Sequence, residues 1–164
     1  MASESKIKSR SVLLLTNLCR LLLAAVFVVS GFVKAVDPKG LLYKLQEYAT
    51  VFLPDVNIDE TLLLVAALAL SAAEFVLGTL LFMGTCRRFS AIAALAITLL
   101  FTPWTLVLAI WNPVHDCGCF GDAFQMSNWA TFFKNALLLI MAAFLWVKRS
   151  RIVRFISTRG SWMV

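Results

Sequence analysis

The residues best suited to chemistry stand together as Trp111-Asn112-Pro113-Val114-His115-Asp116-Cys117-Gly118-Cys119-Phe120-Gly121-Asp122. Two cysteines separated by one glycine can form a disulfide with each other when they face an oxidising compartment. A ring closed over a single residue is tight, so it needs the freedom of Gly118 and is strained. Strained, exposed disulfides have the higher potentials and are the labile ones. Exchange chemistry needs one thiolate to attack a partner disulfide and a second to resolve the mixed intermediate, and Cys117 with Cys119 supplies both. Two other readings stay open. A purely structural bridge would remove little chain entropy from so short a loop. A metal site could draw on His115, Asp116, Cys117 and Cys119, but zinc usually takes two separated ligand pairs, and no second pair lies on this face. We therefore assign no metal. His115, the only histidine, is a candidate acid or base for thiol exchange, while Asp116 beside it disfavours a nearby thiolate.

The elements that must hold this loop are set by composition. Of 164 residues, 61% are hydrophobic and 15% charged, with mean hydropathy +0.87. Soluble domains are about half apolar and a quarter charged, so that class is excluded, as is disorder. Four cysteines are too few for a disulfide-dense secreted scaffold. Four apolar runs, at 12–36, 61–83, 90–111 and 129–147, are each about long enough to cross ~30 Å of hydrocarbon. An open chain crosses lipid only as helix, because every backbone polar group must be satisfied within the segment. The expected fold is all-α: a polytopic membrane four-helix bundle forming a single domain over residues 1–164.

Orientation follows from the basic residues. Lys6, Lys8, Arg10, Arg87, Arg88, Lys148, Arg149, Arg151, Arg154 and Arg159 share one face, whereas Lys34, Lys39, Lys44 and Lys134 lie toward the other. Asp37, Glu47, Asp55, Asp59, Glu60, Asp116 and Asp122 fall on the lysine-poor side. Both termini are expected in the cytoplasm and the Cys-Gly-Cys loop outside. The net charge of +6 is thus a topology signal rather than a nucleic-acid footprint. A cleaved signal peptide is disfavoured by the length of the first run, by Arg20 within it and by the poor Val33-Lys34-Ala35 site. Cys19 and Cys86 fall near the cytoplasmic face, a membrane thickness from the loop. Between the first two spans, Asp37-Pro38-Lys39-Gly40 stops one helix, and Leu41, Leu42, Leu45, Tyr48, Ala49 and Phe52 recur at helical spacing. That pattern predicts a short amphipathic outer helix, read first as a packing lid and second as a docking surface.

Ser30-Gly31-Phe32-Val33-Lys34-Ala35-Val36-Asp37-Pro38-Lys39-Gly40, followed by Asp116-Cys117-Gly118-Cys119-Phe120-Gly121-Asp122, resembles the DoxX/MauE membrane family, most closely its methylamine-utilisation, MauE-like branch. The resemblance covers nearly the whole chain and implies a four-helix membrane protein. It further implies a thiol–disulfide role beside a periplasmic thioredoxin-like partner in the bacterial inner membrane, with electrons leaving to a quinone, ubiquinone or menaquinone. Some similar proteins continue into a further helix and a thioredoxin-like domain. This chain ends at Ser161-Trp162-Met163-Val164, which reads as a shortened version.

The spans add further candidates. Glu74 sits mid-span, where a carboxylate needs a partner or a proton. Counting from the span ends brings Arg20 level with it, which predicts an Arg20–Glu74 ion pair fixing helix packing, or else a proton route. Lys34 and Lys134 lie toward the outer interface, as snorkelling side chains, or as ammonium groups that favour a Cys thiolate or bond a quinone oxygen. Asn135 is an expected interhelical hydrogen-bonder. Trp104, Trp111, Trp129, Phe132 and Phe133 read as an interface belt or as a flat slot for a quinone head, with Pro103 kinking the helix beside Trp104. The resulting expectation is a quinone-linked thiol–disulfide oxidoreductase. Its rivals are an accessory scaffold with a structural bridge, a metal-handling protein and a sulfur-compound:quinone oxidoreductase subunit.

Overall fold

In the computed structural model the chain is described over residues 2–56, 58–114 and 126–153, with side chains from Arg10 onward. Five α-helices follow one another: α1 (Ala2–Val36), α2 (Pro38–Phe52), α3 (Glu60–Met83), α4 (Arg87–Trp111) and α5 (Asn128–Val147), with a 3₁₀ turn at Arg149–Arg151. Residues Arg10–Val36 of α1 and the whole of α3, α4 and α5 are long and apolar enough to cross a membrane. Their outward faces keep large apolar side chains in the open: Leu14, Leu100 and Ile140 are 69%, 70% and 67% exposed. In water such faces would be an aggregation liability; in lipid they are the expected surface. The helix α1 begins well before the predicted start at residue 12, because hydropathy marks where an apolar stretch begins and not where a helix does.

The helix ends are written in local sequence. Asp37 caps α2 by accepting a hydrogen bond from the Gly40 N–H at 3.1 Å, and Pro38 occupies the first turn, where its missing N–H costs nothing. Gly84, at φ 68°, closes α3, with the Thr85 N–H donating to the Leu80 carbonyl at 3.2 Å. Asn112 takes the left-handed cap of α4 at φ 47°, and Ser127 caps α5 by accepting from the Ala130 N–H. The helix α4 runs on through Pro103 to Trp111.

The bundle is built mainly from two antiparallel pairs, α1 on α3 and α4 on α5, with α1 also touching α5. Register between α1 and α3 is set by two glycines. A Cβ on Gly31 would lie 2.5 Å from the Phe75 backbone nitrogen, and one on Gly78 would lie 2.6 Å from that of Val28. Backbones this close cannot slide past one another. Gly31 is therefore opposite Phe75, and five residues further on Val36 is level with about Leu70. The first turns of α3, about 15 Å of helix, extend past the end of α1. The amphipathic α2 packs there on α3, burying Gly40, Leu41 and Leu42, while Tyr48 and Phe52 meet the Trp104 ring on α4 at 5.9 and 5.0 Å between centroids.

This register corrects one expectation. Arg20 is not level with Glu74 but with about Cys86, some 16 Å along α1 from Gly31. Its Nη1 donates to the Val153 carbonyl at 2.6 Å. Arg87 donates to the Ile152 carbonyl at 3.3 Å, and the Asn17 side-chain oxygen accepts from the Val153 N–H at 3.0 Å. These groups strap the segment after α5 across the end of the bundle that carries Arg87. There Ile152 joins Leu23, Leu81, Ala91 and Leu145 in the apolar core. This apolar cluster lies toward that end, whereas buried Ser30, Lys34, Glu74, Thr105, Asn128 and Asn135 lie toward the other.

Candidate functional site

Ser30 and Lys34 are four residues apart on α1 and so share a face. Glu74 and Gly78 have the same spacing on α3. Where the glycines let the backbones touch, both α1 side chains reach one carboxylate. Lys34 Nζ donates to Glu74 Oε1 at 2.7 Å and Oε2 at 2.8 Å, and Ser30 Oγ donates to Oε2 at 2.7 Å. Lys34 and Glu74 are each 4% exposed. Removing two charges from water is costly, and the cost is offset only by good geometry with the remaining lone pairs satisfied. A forked ammonium and a third donor on one carboxylate meet that condition. Lys34 is thus an inward partner of Glu74, and the snorkelling reading of its side chain is corrected.

The pair forms part of the wall of a partly open cavity of about 110 Å³. Lys134 of α5 lines the same cavity, so among the described residues its charged lining is two lysines and one glutamate. Asn135, next to Lys134, donates from Nδ2 to Thr105 Oγ1 at 3.3 Å and ties α5 to α4, as its position in the sequence led us to expect. Most of the remaining wall is apolar or aromatic. Phe27 comes from α1, Leu45 and Tyr48 from α2, and Phe101 and Trp104 from α4. The helix α2 therefore serves as the lid predicted by its periodicity.

Of the sequence candidates, Lys34, Glu74, Lys134 and Trp104 converge on this cavity. Trp111 and Trp129 do not: they are 73% and 51% exposed, and Trp129 packs its ring against Phe132 and Phe133 at 6.3 and 6.1 Å. Arg20 belongs to the opposite end, toward which Cys19 and Cys86 also lie as free, half-buried thiols. His115, Asp116, Cys117 and Cys119 lie outside the described residues. Sequence reasoning missed Ser30 and Tyr48. The i, i+4 pairing of Ser30 with Lys34, opposite Glu74 with Gly78, was the signal that could have found the first.

The flanks of the cysteine loop are described, and one side chain ties them together. Asn128, 5% exposed at the start of α5, donates from Nδ2 to Asn112 Oδ1 and to the Val114 carbonyl, both at 2.7 Å. The segment carrying Cys117 and Cys119 thus leaves and returns at one point, six residues and so about 9 Å along α5 from Lys134. Asn128→Leu is expected to cost about 1–3 kcal/mol, because the buried Val114 carbonyl loses its donor. Faster alkylation of reduced Cys117 and Cys119 in that variant, with unchanged labelling of Cys19, is the measurement that checks it.

A family model described as methylamine utilisation protein MauE matches residues 12–148. The chain belongs to the MauE family. The match runs through all four candidate membrane helices, both ends of the cysteine loop, and Lys34, Glu74 and Lys134 of the cavity. As a MauE protein the chain is a multi-pass membrane protein, and membership suggests an accessory role in methylamine utilisation. No curated protein and no solved structure matches it.

Proposed function

We propose that this MauE protein is a membrane thiol–disulfide oxidoreductase whose Cys117/Cys119 couple serves a periplasmic thioredoxin-like partner and delivers electrons to membrane quinone. The observation that carries the reading is placement. Asn128 gathers the ends of the cysteine loop at the end of the bundle beneath which Lys34, Glu74, Lys134 and Trp104 line a cavity. The excess of lysine and arginine at the other end favours cytoplasmic termini and a periplasmic loop in the bacterial inner membrane.

In the exchange step a partner thiolate attacks one sulfur of the Cys117–Cys119 bridge. The second partner thiol resolves the mixed disulfide, leaving an oxidised partner and a reduced pair that has gained two electrons and two protons. We assign Cys117 to the partner and Cys119, nearer α5, to the quinone side. A quinone, when bound, accepts those two electrons and two protons. A cavity of about 110 Å³ is smaller than the ~150 Å³ that encloses benzene in a well-studied engineered case, so a ring enters only by its carbonyl edge. Lys34 and Lys134 are the donors able to hold that oxygen, Trp104 offers a ring face, and Glu74 is the carboxylate able to hold a proton.

The test is the redox state of Cys117 and Cys119 in native membranes, read by mass-shift thiol labelling. A bridge opened by dithiol and restored by added quinone is the expected result, with a Cys119→Ser chain trapping the partner through Cys117. Thiols that stay free, or unimpaired cell growth on methylamine in a Cys117→Ser/Cys119→Ser double variant, would overturn the proposal in favour of a scaffold.

A further inference from the structure

Polar side chains inside a membrane bundle are costly, and on α5 they are aligned. Its buried face reads Asn128, Thr131 and Asn135 in the half nearer the cysteine loop, then Leu138, Ala142 and Leu145 in the other half. The polar three span seven residues, about 10 Å of helix, and end at the cavity that Asn135 lines. Across the seam, buried Thr105 of α4 accepts from Asn135 at 3.3 Å, and Thr98 lines the same cavity. Neighbours on one helix face stand about 5–6 Å apart, which one water can bridge. At the head of the row Asn128 Oδ1 is buried with no hydrogen-bond partner among the described residues, while Nδ2 holds Asn112 and Val114. An acceptor left dry there is costly, and a water satisfies it. At the foot, about 110 Å³ exceeds several-fold the ~30 Å³ that one water takes in the liquid, and Ser30, Glu74 and Asn135 supply polar partners. On the far side of the cavity the packing changes. Phe27 and Leu138, which line it, belong to an apolar cluster that continues through Leu23, Ala142 and Leu145 to Ile152 of the strap.

We infer that Glu74 exchanges water and protons with the loop end of the bundle only, along the α4–α5 seam made polar by Asn128, Thr131, Asn135 and Thr105. The apolar cluster closes the way to the strap. A proton moves by hops between hydrogen-bonded waters and hydroxyls; the seam has seats for both, and packed leucine and alanine have none. The electrical consequence rests on the thiol–quinone reading. When quinone oxidises Cys117 and Cys119, two electrons pass to the quinone, the two thiols give up two protons, and the quinone takes up two. With the cavity open to the loop end alone, release and uptake draw on one compartment. Turnover therefore carries no net proton across the membrane and builds no potential.

The path can be read without turnover. Ser30→Cys and Thr98→Cys each place a thiol on the cavity wall, so that one reporter remains if the other variant does not fold. Silver ion, which follows water and not hydrocarbon, is added in chloride-free buffer to one side of sealed vesicles holding the full chain. Thiols left unblocked are then counted by maleimide mass shift after denaturation. Reduced Cys119 marks the loop side and Cys86 the strap side. Both reporters are expected to react from the Cys119 side, about tenfold or more faster than Ala142→Cys in the apolar cluster. Thr131→Leu is expected to slow both about tenfold while Cys119 keeps its rate. In proteoliposomes given dihydrolipoate outside and a short-chain ubiquinone, turnover is expected to leave the lumen pH, read with trapped pyranine, unchanged. Lumen alkalinisation by two protons per disulfide, reaction of the cavity thiols from the Cys86 side, or reaction that survives Thr131→Leu overturns the inference. A complete lack of turnover counts against the thiol–quinone reading alone, and the silver rates still decide the path.

Discussion

Glu74→Leu is expected to destabilise the bundle by about 3–5 kcal/mol, whereas Lys34→Met costs clearly less. Both changes break the same 2.7 Å ion pair, so counting contacts would give them equal effects. The difference lies in what remains. Without Glu74, two lysines line one small cavity in the membrane interior with no carboxylate among its described lining residues, and like charges add to the desolvation cost. Without Lys34, Glu74 keeps Ser30 as a donor and Lys134 as a cation of the same cavity, and the described lining becomes neutral overall. The double variant Lys34→Met/Glu74→Leu returns to the charge of the parent and is expected to recover most of the loss, since an apolar pair of similar volume often equals a buried ion pair. Equilibrium unfolding in mixed micelles measures all three. Equal losses in the two single variants would show that Lys134 does not share the electrostatics of the pair.

The same residues show where sequence reasoning reached its limit. The four spans were legible because hydrocarbon dictates length and apolarity, and α2 was legible because Leu41, Leu45, Tyr48 and Phe52 keep helical spacing behind the Asp37-Pro38 stop. The partner of Glu74 was not. Counting depth from the ends of the apolar runs presumes that helices begin and end together. In this protein α1 is displaced along α3 because Gly31 and Gly78 fix the close approach, and the displacement moves Arg20 away from Glu74 and brings Lys34 to it. Hydropathy carries no information about that sliding coordinate; small residues on a shared face do. The aromatic residues divide for a related reason. Trp104, Trp111 and Trp129 are alike in composition and approximate depth, but only Trp104 lies on the helix face turned toward α2. The cysteine pair was found by residue type and spacing alone, and its geometry lies outside the described residues.

Gly31→Ala and Gly78→Ala are each expected to cost about 1–3 kcal/mol, and Gly31→Leu more, although every one of these substitutions makes α1 or α3 a better helix. An alanine Cβ at 31 would stand 2.5 Å from the Phe75 nitrogen and 2.9 Å from its Cα, both backbone atoms that cannot rotate away. At 78 the nearest atom is again backbone, the Val28 nitrogen at 2.6 Å. Relief therefore requires the helices to separate or slide, and two side chains register that movement. Ser30 is adjacent to Gly31 and Lys34 is three residues beyond it, and their three bonds to Glu74 are at most 2.8 Å long, with little slack. Separation by about 1 Å stretches them beyond the hydrogen-bond range and turns a satisfied pair into partly stripped charges. Gly31→Ala should therefore lose stability less than additively with Glu74→Leu, because the first change has already removed part of what the second removes. A control at Ala24, also buried on α1 but seven residues from the glycine, should combine additively with Glu74→Leu. Additive losses for Gly31→Ala with Glu74→Leu would mean that the ion pair follows a moving helix, and that the glycines set packing without setting the site.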